Sequence, residues 1–198
     1  IGINALFFFF FGTGIGQVTW HFLDQLFRLP EAKEHQFLLY VLEDFDRGDW
    51  PQNVHIRVLN PWWPRADEFR KYLFETESLP EASQGDQCQI FFSLYQSATV
   101  MDGIPHIMLV HDIIPEIFPE YQRTLRKQFF WSRVRQAIQK ATNIITVSEH
   151  TKNDILKHFA LDKNMIEVCM PGVDPLFQQE LLLPEKARVA LKYSLPPR

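Results

Sequence analysis

The sequence predicts an α/β protein with a doubly wound, mainly parallel sheet and helices on both faces. Short apolar runs alternate along the chain with longer amphipathic ones, as in the crossover units that build such a sheet. The first run passes through a small-residue turn, Gly12-Thr13-Gly14-Ile15-Gly16, into the first helix. The 198 residues, 46% hydrophobic and 22% charged, are enough to bury one sizeable core.

The first strand is expected over Gly2 to Phe8, inside the apolar stretch Ala5 to Phe11. That stretch is too short to cross a bilayer, and the first Lys or Arg is Arg28, so no charged region precedes it as in a signal peptide. The chain lacks an initiating Met and is expected to be a fragment. The first helix, Gly16 to Leu29, places Ile15, Val18, Phe22, Leu26 and Leu29 at helical spacing, and Pro30 closes it. Further strands are expected over Gln36 to Leu42, His55 to Leu59, Gln89 to Leu94, His106 to Val110, Asn143 to Val147 and Met165 to Met170. Further helices are expected over residues 67–76, Glu120 to Ala141, Glu149 to Phe159 and Pro184 to Tyr193. In the second of these Phe130, Val134, Ala137, Ile138 and Ala141 form the apolar face. Asn60 to Pro64 and the polar stretch Pro80 to Gln87 read as loops. Residues 1–183 form the expected domain, and residues 184–198 a terminal helix and Pro-containing linker.

The net charge of -4 gives no general attraction for nucleic acid, so an anionic partner needs a local patch. Cys88 and Cys169 stand outside any metal-binding or disulfide spacing, so no metal site is expected and a reducing, cytoplasmic compartment is the default.

A doubly wound sheet binds its ligand beyond the carboxyl ends of its strands, which selects four places. At Gly12 to Gly16 the backbone amides and helix end can cradle an anion, or the segment is a tight turn. The spacing is GxGxG, with Gln17 where a dinucleotide fingerprint has its third glycine, and Glu43 lies late for the ribose-binding acid. At His111-Asp112 the imidazole can meet a sugar hydroxyl or phosphate oxygen, or it caps the following loop. At Ser148-Glu149-His150-Thr151 helix capping explains most of the pattern, and Thr151 or His150 could still face a ligand. Between Tyr121 and Ser148 lie six cations and no acidic residue; Arg126, Arg133 and Lys140 recur every seven positions beside Phe129. This stripe is either a solvated face or a membrane-surface contact. Trp62 and Trp63, between prolines, could cover a sugar or lipid, or anchor their loop.

Four segments in order carry a resemblance: Gly14-Ile15-Gly16; Val110 to Pro115 with Phe118 to Tyr121; Ala141 to Ile155; and Pro171-Gly172-Val173-Asp174. Together they resemble the amino-terminal domain of family 4, group 1, retaining glycosyltransferases. The resemblance implies one half of a GT-B enzyme with two Rossmann-like domains. This half would take a glycan or lipid-linked acceptor, and a carboxy-terminal domain would hold most of a nucleotide-sugar donor. It implies no metal and no cofactor, with the nucleotide-sugar as co-substrate. His111 would be the catalytic contact to the transferred sugar. Gly14, Ile15, Gly16, Gln17, Asp112, Ser148 and Thr151 would bind substrate. Arg126, Phe129, Arg133, Lys140, Trp62 and Trp63 would contact membrane or acceptor. The expected setting is cell-envelope polysaccharide synthesis, cytoplasmic and peripheral on the membrane.

Two departures stand out: many members carry Arg where this chain has Gln17, and the family's donor-side glutamates are not in this chain, so it is expected to be inactive alone. Two competing readings are a plain Rossmann-type nucleotide or small-ligand domain without transferase chemistry, and a non-catalytic interaction module using the basic stripe and the Trp pair.

Overall fold

In the structure, a computed structural model describing residues 1–46, 48–65, 68–173, 177 and 183–196, a single parallel sheet organises the chain. Its strands are β1 (Gly2–Asn4), β2 (Phe37–Val41), β3 (Val54–Val58), β4 (Phe91–Ser93), β5 (His106–Val110), β6 (Asn143–Thr146) and β7 (Ile166–Val168). They lie in the order β3-β2-β1-β4-β5-β6-β7, and every pairing is parallel. The helices are α1 (Gly14–Arg28), α2 (Glu68–Leu73), α3 (Leu79–Gly85), α4 (Ile114–Ile117), α5 (Leu125–Lys140), α6 (Glu149–His158) and α7 (Leu183–Lys192).

Side chains alternate across a strand, so the register assigns each to a layer. Ile3, Leu39 and Val41 pack on one face with Leu23 and Phe27 of α1. Tyr40, Asn4, Ser93, Met108 and Ile144 lie in one row on the other face. There Tyr40 and Phe91 meet Phe74 and Leu79, while Met108 and Ile144 meet Trp131, Val134 and Ile138 of α5 and Ile155 of α6. Helices on both faces and this strand order make the domain Rossmann-like. The order reverses between β1 and β4, because the chain leaves β1 toward β2 and later returns to β1's other side at β4. That reversal opens a crevice at the carboxyl ends of the two strands.

Four elements differ from the sequence expectation. β1 stops at Asn4, and Leu6–Phe9 form a 3-10 turn. The Asn4 side chain accepts the Leu6 N–H at 3.2 Å, which competes with continuation of the ladder. The polar stretch taken as a loop from Pro80 is helical: α2 runs through a π turn, Phe74–Ser78, into α3. Pro80 sits in the first turn of α3; it has no N–H to give and crowds the carbonyl four residues back, and the helix widens just ahead of it. The single helix expected from Glu120 is divided, with Pro119–Gln122 in 3-10 form and α5 starting after Thr124, whose hydroxyl accepts the Lys127 N–H. The short helix α4, with Pro115 in its first turn, was not expected. Asp67 and Asp174 lie outside the described residues, as does most of the stretch just before the expected boundary at residue 183.

Candidate active site

The turn after β1 is built around Gly16. A Cβ there would stand 2.0 Å from the Phe10 carbonyl oxygen, so only glycine lets α1 start against the 3-10 turn. Thr13 caps the helix, its Oγ1 accepting the Gly16 N–H at 3.1 Å. Gln17 donates its Nε2 to the Phe11 carbonyl at 2.6 Å and so ties the turn down. Ile15 is half-buried against the cluster of Leu6 and Tyr95. Gly12 and Gly14 have open space where a Cβ would be. Three of the sequence-selected residues, Ile15, Gly16 and Gln17, therefore hold the loop, and Gly14 leaves its surface accessible to a ligand.

His111 follows β5 and is pinned at three atoms. Its backbone N–H donates to Gln96 Oε1 at 3.2 Å, its ring Nε2 donates to the Leu94 carbonyl at 3.2 Å, and its carbonyl accepts the Thr151 hydroxyl at 3.1 Å. A carbonyl oxygen can only accept, so Nε2 carries the hydrogen and Nδ1 holds the ring's lone pair. Burial lowers the His111 pKa below its ordinary value of 6.5, outweighing the opposing effects of the Leu94 carbonyl and Asp112, and the ring is neutral at pH 7. Asp112 Oδ1 accepts the Ile114 N–H at 3.0 Å and shapes the turn into α4.

Ser148 is the N-cap of α6: its Oγ accepts the Thr151 N–H and lies 3.1 Å from Thr151 Oγ1. Thr151 is buried, and its hydroxyl is committed to His111. These two residues place His111, while His150 lies exposed beside Asp154 at 3.3 Å.

A cleft of about 350 Å³ opens beside this region, between α2, the residues following β4 and β5, and the first turns of α5. Lys71, Gln96, Tyr121, Lys127, Phe130 and Trp131 contribute to its walls. Beneath it is a buried polar network that the sequence did not disclose. Glu75, in the π turn and fully buried, accepts from Lys71 Nζ at 2.5 Å, Tyr95 O–H at 2.6 Å and the Ala98 N–H at 3.1 Å. Tyr95 in turn accepts from Asn4 Nδ2 at 3.0 Å. Burial, reinforced by the Glu75 charge, raises the Tyr95 pKa well above its ordinary value, so the phenol stays protonated and donates to that carboxylate. Lys71 Nζ also lies over the rings of Phe130 at 4.6 Å and Tyr95 at 5.2 Å. The one sequence signal was the Lys71/Glu75 spacing of four on a helix.

The basic stripe and the Trp pair, separate in sequence, meet on one surface. Trp63 contacts Phe69 at 5.2 Å between ring centroids, Phe69 stacks on Tyr72 at 6.1 Å, and Tyr72 reaches Phe129 at 5.6 Å. Trp62 stands 68% exposed and Phe129 50%, while Trp63 is half-buried and anchors the loop. Arg65 lies over Trp63 at 5.6 Å and Arg133 over Phe129 at 5.2 Å. Arg126 pairs loosely with Glu68 at 3.4 Å, and Lys140 is exposed in the last turn of α5. No helix among the described residues is long and apolar enough to cross a membrane. Among the same residues no cluster of His, Cys, Asp and Glu is arranged to hold a metal ion, and both cysteines are free.

The strand order and the helices on both faces define a Rossmann-like α/β domain with its switch point between β1 and β4. Residues 14–176 match Glycosyltransferase Family 4, and the chain belongs to that family. A solved structure of a glycosyltransferase from Rickettsia africae ESF-5 is similar at 12% identity with a TM-score of 0.49; the match covers 100% of this chain and 49% of that one. The chain thus spans about half the length of that glycosyltransferase. No curated protein matches it.

Proposed function

We propose that this chain is the acceptor-binding part of a retaining glycosyltransferase that moves a sugar from a nucleotide-sugar to a glycan or lipid-linked acceptor. Family membership supports the class of reaction. The observation that carries the reading is the fixing of neutral His111, by Leu94, Gln96 and Thr151, at the carboxyl ends of β4 and β5 and next to the open cleft. In this role His111 Nδ1 accepts a hydrogen bond from a hydroxyl of the transferred sugar. Gly14 and its neighbouring amides approach the donor phosphates or the acceptor. Residues 12–17 include no Lys or Arg and Gln17 is a neutral amide, so this loop brings no cation, and the leaving diphosphate is neutralised by a second, donor-binding domain. No metal or cofactor takes part in this reading.

The joined aromatic and cationic surface supports a peripheral contact with the cytoplasmic face of a membrane that carries the acceptor, in a cell-envelope polysaccharide pathway. Here exposed Trp62 and Phe129 enter the headgroup region, and Arg126, Arg133 and Lys140 face anionic lipid.

The test is a sugar-transfer assay on the protein that carries this chain, comparing wild type with His111→Ala. Loss of a positioned polar contact predicts a barrier higher by about 2–4 kcal/mol with the folded state retained. Full activity of His111→Ala would overturn the assignment.

A further inference from the structure

We infer that the cleft between α2 and α5 takes an anionic saccharide, a sugar bearing a phosphate or carboxylate group, and that Lys71 and Lys127 are its recognition residues. This rests on the acceptor reading above and names the class of acceptor.

The argument is an imbalance between donors and acceptors. Lys71 carries three N–H donors, and Glu75 Oε1 takes one at 2.5 Å. The Glu75–Lys71 contact, with the rings of Phe130 and Tyr95 beneath it, fixes the ammonium at the cleft. Lys127 has no ion-pair partner among the described residues. Gln96 uses its Oε1 to accept from His111, and no acceptor among the described residues takes its Nε2 protons. Two further acidic groups lie here, and one of them, Glu68, is an exposed residue of the cleft wall itself. Glu68 faces Arg126 at 3.4 Å, and Glu116 is held by Trp131 Nε1 at 2.7 Å and Arg135 at 2.5 Å. With Glu68 set against Arg126 and Glu75 against Lys71, the cleft keeps one cation without an acidic partner, Lys127, and spare donors on Lys71 and Gln96 against the Gln122 amide oxygen, an excess complementary to an oxygen-rich anion. Its aromatic walls, Tyr121, Phe130 and Trp131, match the apolar faces of a sugar ring.

A neutral sugar would leave the Lys127 charge without a partner, and a bare anion would leave the rings uncovered. The helix axis of α5 adds in the same direction, because its amino end, free of acidic residues in the first turn, lies at the cleft.

The experiment is a nuclear magnetic resonance titration of the chain, following the Trp131 indole signal, with glucose 6-phosphate, glucuronate, glucose and inorganic phosphate. The two anionic sugars are expected to saturate the signal, weakening as salt is raised. Glucose and inorganic phosphate are expected to bind at least about tenfold more weakly. Lys127→Gln, an exposed position that costs no fold, is expected to weaken both anionic sugars about tenfold and leave the weak glucose response unchanged. The paired replacement Lys71→Met with Glu75→Gln, which removes the buried charge pair as a unit, is expected to do the same. Equal binding of glucose and glucose 6-phosphate, no shift with either anionic sugar, or wild-type binding by Lys127→Gln would overturn the inference. Inorganic phosphate binding as well as glucose 6-phosphate would overturn the assignment to a saccharide. A neutral-sugar preference leaves the transferase reading standing, because the His111→Ala transfer assay tests that separately.

Discussion

The hydroxyl of Thr151, buried in the first turn of α6, donates to the carbonyl oxygen of His111 across 3.1 Å and so fastens the turn after β5 to the helix after β6. Replacing Thr151 by Val keeps the shape and removes the donor. The expected cost is about 1–2 kcal/mol in urea unfolding, since the carbonyl is left unpaired in a part-buried setting. The imidazole resonances of His111 should shift as well. Unfolding and ring signals both unchanged would mean that the bond does not hold the turn.

The glycines of the first turn separate packing from ligand approach. Gly16→Ala drives a Cβ against the Phe10 carbonyl oxygen, at 2.0 Å before relaxation, and is expected to destabilise the domain by about 2 kcal/mol or more. Gly14→Ala meets nothing within 4 Å and is expected to leave the melting temperature level or slightly raised. Its effect belongs on ligand binding, measured by calorimetry with nucleotide-sugars. Equal destabilisation by the two substitutions would contradict this division.

Acid should weaken the fold through His106. Burial lowers its pKa from 6.5 to about 4, and its Nε2 lies 2.9 Å from Ser93 Oγ inside the core. The unfolded chain binds a proton on this ring between those values and the folded chain does not. The stability contribution is therefore complete above the unfolded pKa and falls away as pH drops toward the folded one. The loss between pH 7 and pH 5 is about 2 kcal/mol, read as a fall in the urea midpoint. His106→Gln should flatten that dependence; His111, also lowered by burial, acts in the same direction. An unchanged pH profile in His106→Gln would locate the acid sensitivity elsewhere.

The aromatic and cationic surface makes a prediction of its own. Reversing Arg126, Arg133 and Lys140 to Glu should abolish co-sedimentation with anionic liposomes at low salt. Three cations at about 1 kcal/mol each give reversible binding that salt weakens. Replacing Trp62 by Ala should reduce binding less steeply and leave its salt dependence intact. Equal sedimentation of wild type and the charge-reversed protein would make the stripe a solvated face.

Much of the sheet was legible because buried parallel strands are written as short apolar runs, and all seven strand centres fall within the ranges expected from those runs. The first run misled at its end, because phenylalanines that read as strand fold back once Asn4 hydrogen-bonds Leu6. The helix from Leu79 was hidden by Pro80 and by polar residues, whose usual meaning is a loop. His111, Ser148 and Thr151 could be located by their positions after strands; that Thr151 serves His111 could not, since the contact spans two crossover units. Glu75 carried little signal, because its donors come from α2 and from the turn after β4 and are brought together only by packing. The same holds for the Trp pair and Phe129, joined through Phe69 and Tyr72.

The central claim, that the crevice beyond β1, β4 and β5 serves a sugar and its phosphates rather than a dinucleotide, is tested most directly by calorimetric titration of the chain with nucleotide-sugars and with NAD. Gly16 is consumed by packing against Phe10, and the turn lacks the glycine spacing of a dinucleotide site. Weak binding of nucleotide-sugars that is lost in His111→Ala, with no saturable response to NAD, is the predicted result. Tight, saturable NAD binding that survives His111→Ala would contradict it.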